Sequence, residues 1–161
     1  TTYPYYYVYG YEGTDVEEAK GTPNYATYGV LYNWPAVMTE GICPSGWHIP
    51  SDGEWQTMEI SLGMALSEVS ESGWRGTDQG YQLKSTSLWN LNENGSNSSG
   101  FNGLPGGIKD SWNFTTIGND GAWWSTSNLE SWTRRLQYDF NGVYRFNNEI
   151  SWGFSARCVK D

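Results

Sequence analysis

Residues 132–139 restrict the fold more than any other stretch. Trp132, Arg134, Leu136 and Tyr138 alternate with Thr133, Arg135, Gln137 and Asp139. A period of two puts the two sets on opposite faces of an extended strand. Trp132, Leu136 and Tyr138 suit a packed face, with Arg134 along its edge. The other set is chemically mixed, as a solvent- or ligand-facing surface is. Asn141-Gly142 reads as a two-residue hairpin turn. Residues 143–146 resume in extended style, Asn147-Asn148-Glu149 reads as a second turn, and residues 152–158 as a closing strand. The C-terminal third is therefore expected to be a β-meander that presents a varied surface on a fixed scaffold.

What packs beneath that surface follows from composition. The chain has 161 residues, enough for one domain with a real core. Hydrophobic residues are 37% but aromatics reach 17%, with ten Trp and twenty Gly. The core should be built of large rings between many turns, and sparse Leu and Ile argue against a helical bundle. The formal net charge of −9 disfavours nucleic acid and anionic membrane partners, which reward basic patches. No apolar run of 18 residues exists, so no membrane insertion is expected. The N-terminal stretch lacks a signal-peptide pattern, which fits a trimmed mature chain and leaves export open.

The remaining elements are short. Tyr3 to Tyr11 is Tyr-rich and reads as strand. Residues 15–20 are a helical or loop excursion, 21–24 a turn, 28–34 an apolar element and 36–38 a helical turn. Ser51-Asp52-Gly53-Glu54 is an S-x-x-E capping box. Trp55, Met58 and Leu62 then recur at helical spacing, so a helix runs from 51 to about 62 and Gly63 stops it. Residues 64–72 suit a second short helical piece. From Gly73 to Gly121 the pattern dissolves into Gly, Ser, Asn and Trp, with no domain boundary and no repeat.

Catalytic and metal chemistry find little support. His48 is the only histidine and sits between Trp47 and Ile49, where a structural role is expected. Asp52 and Glu54 could pair for acid–base work, but the capping box accounts for both. Asn119-Asp120 offers two oxygen ligands, whereas Ca²⁺ takes six to eight. No cofactor is expected. Cys43 and Cys158 lie outside any CxxC pattern. They are read as one long-range disulfide in preference to two buried thiols, which places the protein outside a reducing cytoplasm.

Four blocks together resemble one family. They are residues 28–34 (YGVLYNW), 43–55 (CPSGWHIPSDGEW), 100–107 (GFNGLPGG), and Trp123-Trp124-Ser125 with 153–158 (GFSARC). The chain resembles the Fib_succ_major paralogous domain family (FISUMP), found in surface and secreted proteins of Bacteroidetes-type bacteria. The P-S-x-x-E-W piece is also similar to the helix entry of formylglycine-generating-enzyme-like domains. These resemblances imply an α+β, C-type-lectin-like fold, with few helices, short mixed strands and long loops. The E-P-N, Q-P-D and W-N-D calcium motifs of sugar-binding C-type lectins are absent.

The C-terminal stretch further resembles variable proteins of diversity-generating retroelements. Trp132, Arg134, Leu136, Tyr138, Val143 and Arg145 match the fixed set. Thr133, Arg135, Gln137, Asp139, Phe140, Gly142, Tyr144, Phe146, Asn147, Asn148, Glu149 and Trp152 fall at variable-type positions. Gln137, Glu149 and Trp152 would need a template codon other than Asn, such as one for Lys.

The resulting expectation is a noncatalytic, surface-displayed binding domain of a bacterium, extracellular or on the cell surface. It would bind a protein or glycan on another cell, phage or host surface through residues 133–152. The expected contact residues are Thr133, Arg135, Gln137, Asp139, Phe140, Tyr144, Phe146, Asn148, Glu149 and Trp152, of which Arg135 should matter to binding and little to stability. The alternatives are a secreted polysaccharide-active enzyme or accessory, and a structural subunit of a surface appendage.

Overall fold

The computed structural model describes residues 3–127 and 130–161. Within them the chain is mixed α+β, with short helices and many strands. The strands are β1 (Tyr6–Tyr7), β2 (Leu31–Tyr32), β3 (Trp47–His48), β4 (Gly73–Arg75), β5 (Ile108–Lys109) and β6 (Phe114–Thr115). They continue with β7 (Asp120–Trp124), β8 (Trp132–Gln137), β9 (Phe140–Asn147), β10 (Phe154–Ser155) and β11 (Val159–Lys160). The helices are α1 (Val16–Lys20), α2 (Pro23–Tyr28), α3 (Trp34–Val37), α4 (Asp52–Ser61) and α5 (Gln79–Leu83). A seven-stranded sheet in the order β1-β2-β10-β7-β8-β9-β4 organises the fold, and β11-β3 and β5-β6 form two small pairs.

Of the expected meander, the pairing of 132–139 with the following strand exists as the antiparallel β8-β9 hairpin, but its third strand is β7, which precedes β8 and was not expected there. The expected closing strand departs as well. β10 covers only Phe154–Ser155, and it crosses back to pair in parallel with β7. The hairpin turn is also displaced. It lies at Tyr138-Asp139, while Asn141 and Gly142 belong to β9. Two contacts explain this. Lys84, buried behind the hairpin, donates from Nζ to the carbonyls of Gln137, Tyr138 and Phe140 at 3.2, 2.9 and 3.4 Å and holds the turn there. Gly142 serves close approach, since a Cβ there would lie 2.6 Å from the Arg75 carbonyl.

Other expectations fare unevenly. α4 carries both halves of the capping box and ends at the Leu62 cap, after which Gly63 turns with φ +97°. The Tyr-rich stretch yields only the two-residue β1. Residues 21–24 are no free turn, because Thr22 caps α2 and Pro23 opens it. Residues 64–72 form turns and not a helix.

Each sheet face has its own core. Trp55, Met64, Val69, Leu83, Trp89, Trp123, Leu136 and Val143 cluster on the face beneath α4 and α5. Trp34, Val37, Ile49, Ile108, Ala122, Trp124 and Phe154 cluster on the other. Adjacent residues of β7 feed opposite cores, as strand alternation requires: Trp123 enters the first and Trp124 the second. The expected Cys43–Cys158 disulfide is present and joins residues 115 positions apart.

Candidate ligand-binding face

The site begins with what lies under it. Asp52, Trp55 and Glu59 stand at i, i+3 and i+7 of α4, so one helical face turns all three toward the sheet. Three strands answer with arginines: Arg75 from β4, Arg134 from β8 and Arg145 from β9. All five charged residues are buried. Glu59 accepts from Arg75 through both carboxylate oxygens at 2.9 Å and from Arg134 Nε at 2.7 Å. Asp52 takes Arg145 in a fork, at 2.9 and 2.8 Å. Arg134 Nη1 lies 2.7 Å from Asp52 Oδ1, within ion-pair reach but off the hydrogen-bond line. Arg134 and Arg145 are direct cross-strand partners. Like charges so placed repel, and the two carboxylates above them offset that. The Arg145 guanidinium also sits 3.5 Å over the Trp132 ring. The arginine expected at the edge of the packed face is thus at its centre, because a counter-charge waits there.

Burial pushes the Asp52 carboxyl up, but the hydrogen bonds from Arg145 and the charge of Arg134 outweigh it and hold the group at about 2. A depressed carboxyl stabilises the fold above its ordinary value of 3.8 and loses that contribution as pH falls toward 2. The loss is expected to be about 2 kcal/mol. Urea midpoints measured down the acid limb check it. An Asp52→Asn variant as acid-sensitive as the parent would refute it.

With Arg134 and Leu136 turned inward, Thr133, Arg135 and Gln137 share the opposite face with Asp120, Ala122 and Trp124. The second core covers that face over β7 and β10. Over β8, β9 and β4 it stays open. There Phe140, Trp74, Tyr144 and Phe146 form a continuous aromatic strip. Ring centroids are 4.5 Å apart for Trp74–Phe140, 5.1 Å for Trp74–Tyr144 and 5.8 Å for Tyr144–Phe146. Trp74, Phe140 and Phe146 are 39, 43 and 45% exposed. Trp74 enters because β4 pairs it directly with Tyr144. It lies in the featureless middle of the sequence and was not among the expected contacts. Its one sequence signal is an aromatic flanked by Gly73 and Arg75.

The other expected contact residues divide. Asp139 and Glu149 are exposed, and Gln137, Tyr144 and Asn148 are half-buried. Phe146, Asn148, Glu149 and Trp152, with Ser131, line a shallow depression of about 380 Å³ at one end of the strip. Thr133 is a correction: it is 1% exposed. Its hydroxyl donates to the Phe146 carbonyl at 3.1 Å and accepts from Asn148 Nδ2 at 2.6 Å, so Asn148 folds over it. Trp152 is half committed to the scaffold. Its ring packs against the second core, and its indole N–H donates to Ser111 Oγ at 3.3 Å. Arg135 also differs from expectation. It is partly exposed, yet its Nη2 lies 2.7 Å from Oδ2 of Asp120, which is buried. Removing Arg135 would strand a buried carboxylate, so it serves stability as well.

His48 lies apart from this face. Its Nδ1 meets Asp161 Oδ1 at 2.5 Å and its Nε2 meets Glu54 Oε1 at 2.8 Å. Asp161 first and Glu54 second raise its pKa above the ordinary imidazole value. The Ser51 hydroxyl donates to Glu54 Oε2 at 2.8 Å, so His48 does not serve it as a base. Among the described residues, no cluster of three His, Cys, Asp or Glu side chains is placed to hold a metal ion. Nor is any helix there long and apolar enough to cross a membrane.

A family model described as the Fibrobacter succinogenes major domain matches residues 3–160. The chain belongs to this family. The match spans the sheet, both cores and the open aromatic face of this Fibrobacter succinogenes major domain. No curated protein and no solved structure matches the chain.

Proposed function

We propose that this chain is a noncatalytic binding domain, extracellular or displayed on a bacterial surface, that engages a protein or glycan through the open face of β4, β8 and β9. The observation that carries the reading is a four-ring strip, with Trp74, Phe140 and Phe146 exposed, above a buried lattice of ion pairs. Aromatic and arginine side chains dominate binding hot spots, and a rigid platform loses little entropy when it binds. The contacts are Trp74, Arg135, Phe140, Tyr144 and Phe146, with Gln137, Asp139, Asn148, Glu149 and Trp152 at the margins. Thr133 acts by holding Asn148. We read the fold as C-type-lectin-like and the stretch 133–152 as open to retroelement diversification, both on sequence resemblance. The disulfide and the absence of a membrane-crossing helix among the described residues are compatible with an extracellular site.

The test is a screen of glycans and bacterial surface proteins, run with the parent chain and with Trp74→Ala/Phe146→Ala. Any ligand found should bind the double variant at least about thirtyfold more weakly, the equivalent of one hot-spot residue. Melting temperature should change little, because both rings are substantially exposed. Ligands that bind both proteins equally would place the binding surface elsewhere.

A further inference from the structure

A second groove lies at the opposite edge of the sheet from β4, and it has a different chemistry. We propose that it takes an extended peptide bearing lysine or arginine, added as a further strand along β1.

Three observations converge. The first is a free edge. β1 ends the strand order, with β2 as its one neighbour among the described residues. Asn33 N–H donates to the Tyr5 carbonyl at 3.0 Å, and Tyr5 N–H donates to Asn33 Oδ1 at 2.8 Å. Tyr5 therefore turns its backbone toward β2, and alternation turns that of Tyr6 outward. An outward N–H and C=O on a terminal strand are a template for another strand.

The second is the groove itself. About 490 Å³ opens along residues 4–8, walled by residues 11–16 and by Lys109 and Phe114. The Tyr5 and Tyr7 rings lie 20° from parallel, with centroids 6.4 Å apart. The Lys109 ammonium sits 5.9 Å from the Tyr7 ring centroid and 5.2 Å from that of Phe114. The aromatic faces of this groove thus already accept one ammonium.

The third is charge. Glu12 and Asp15 line the groove, and Lys109 is the one cation in its lining. Glu12 has no ion-pair partner among the described residues. Glu17 and Glu18 follow in the first turn of α1. This edge therefore repels a second copy of itself, and the overall charge of −9 repels acidic partners. A basic strand meets main-chain partners, ring faces and carboxylates together.

The probe is a fluorescein-labelled decapeptide of alternating Lys and Val, followed by anisotropy. Its controls are the Glu–Val counterpart and a Lys–Val peptide N-methylated at alternate residues. The Lys–Val peptide is expected to bind saturably and the Glu–Val peptide not at all. N-methylation, which removes strand hydrogen bonds without removing charge, should weaken binding about tenfold or more. Glu12→Lys should weaken it about fivefold, whereas the same reversal at Glu40, which is exposed and outside the groove lining, should not. Equal binding of the methylated peptide, equal effects of the two reversals, or no binding of Lys–Val would each overturn the proposal. So would a concentration-dependent dimer abolished by Tyr6→Pro, which would assign the edge to a second copy. None of these outcomes touches the aromatic strip, so the two readings stand or fall separately.

Discussion

Reducing the Cys43–Cys158 bridge is expected to lower stability by about 4–5 kcal/mol. The bridge joins residues 115 positions apart, and closing so long a loop removes much of the freedom of the unfolded chain. Its effect is also local. Cys158 leads directly into β11, whose Val159 and Lys160 pair with His48 and Trp47 of β3. The Asp161 N–H then donates to the Gly46 carbonyl at 3.1 Å. β3 in turn leads into Ser51 and the cap of α4. Loosening the bridge therefore loosens the end of the helix where Asp52 meets Arg134 and Arg145. Urea unfolding with and without dithiothreitol measures the cost, and a Cys43→Ser/Cys158→Ser variant serves as the reductant-insensitive control. If the parent midpoint stays put under conditions that expose both thiols, the bridge contributes no such stability. Such a bridge is compatible with an oxidising, extracellular setting.

Legibility in the sequence followed the range of the interactions. The capping box was readable because both partners sit within one helical turn, and the cysteine pairing because the chain contains only two. The alternation of 132–139 also placed Leu136 and Arg135 on the correct faces. Arg134 was misjudged because its counter-charge, Glu59, is 75 positions away, and no local pattern announces that pairing. The signal was present in weak form: Asp52, Trp55 and Glu59 share a helical face, and a face mixing two carboxylates with a tryptophan needs cations opposite it. The hairpin turn was misplaced for a similar reason. Asn-Gly has a strong local preference for turning, yet Lys84, from another element, holds the turn three residues earlier. Trp74 was missed because a three-residue edge strand has too few positions to show a period.

The ion-pair lattice can be separated from simple packing by replacing Glu59. Glu59→Leu leaves Arg75 and Arg134 buried with only Asp52 nearby, and an unpaired buried charge costs about 3–5 kcal/mol. Leucine also removes the acceptor that binds both guanidiniums, so Arg75 retains only the Val69 carbonyl and the Met64 sulfur. Adding Arg75→Met and Arg134→Met removes the stranded charges and leaves the Asp52–Arg145 fork in place. Apolar replacements of similar volume are often neutral or stabilising, so the triple variant should recover most of the loss. A triple variant that melts as low as Glu59→Leu alone would trace the cost to packing and not to charge. What the triple variant is expected to lack is definition. With Arg134 gone, β8 is located on its inner face by apolar contacts and by the Trp132 ring under Arg145, and a one-residue slip would exchange its two faces. Amide exchange in β8 and β9 should therefore rise even where the melting temperature is restored. Unchanged exchange would show that Leu136, Val143 and the held turn set the register without the lattice. In that case the buried charges would not be what keeps the aromatic strip in place.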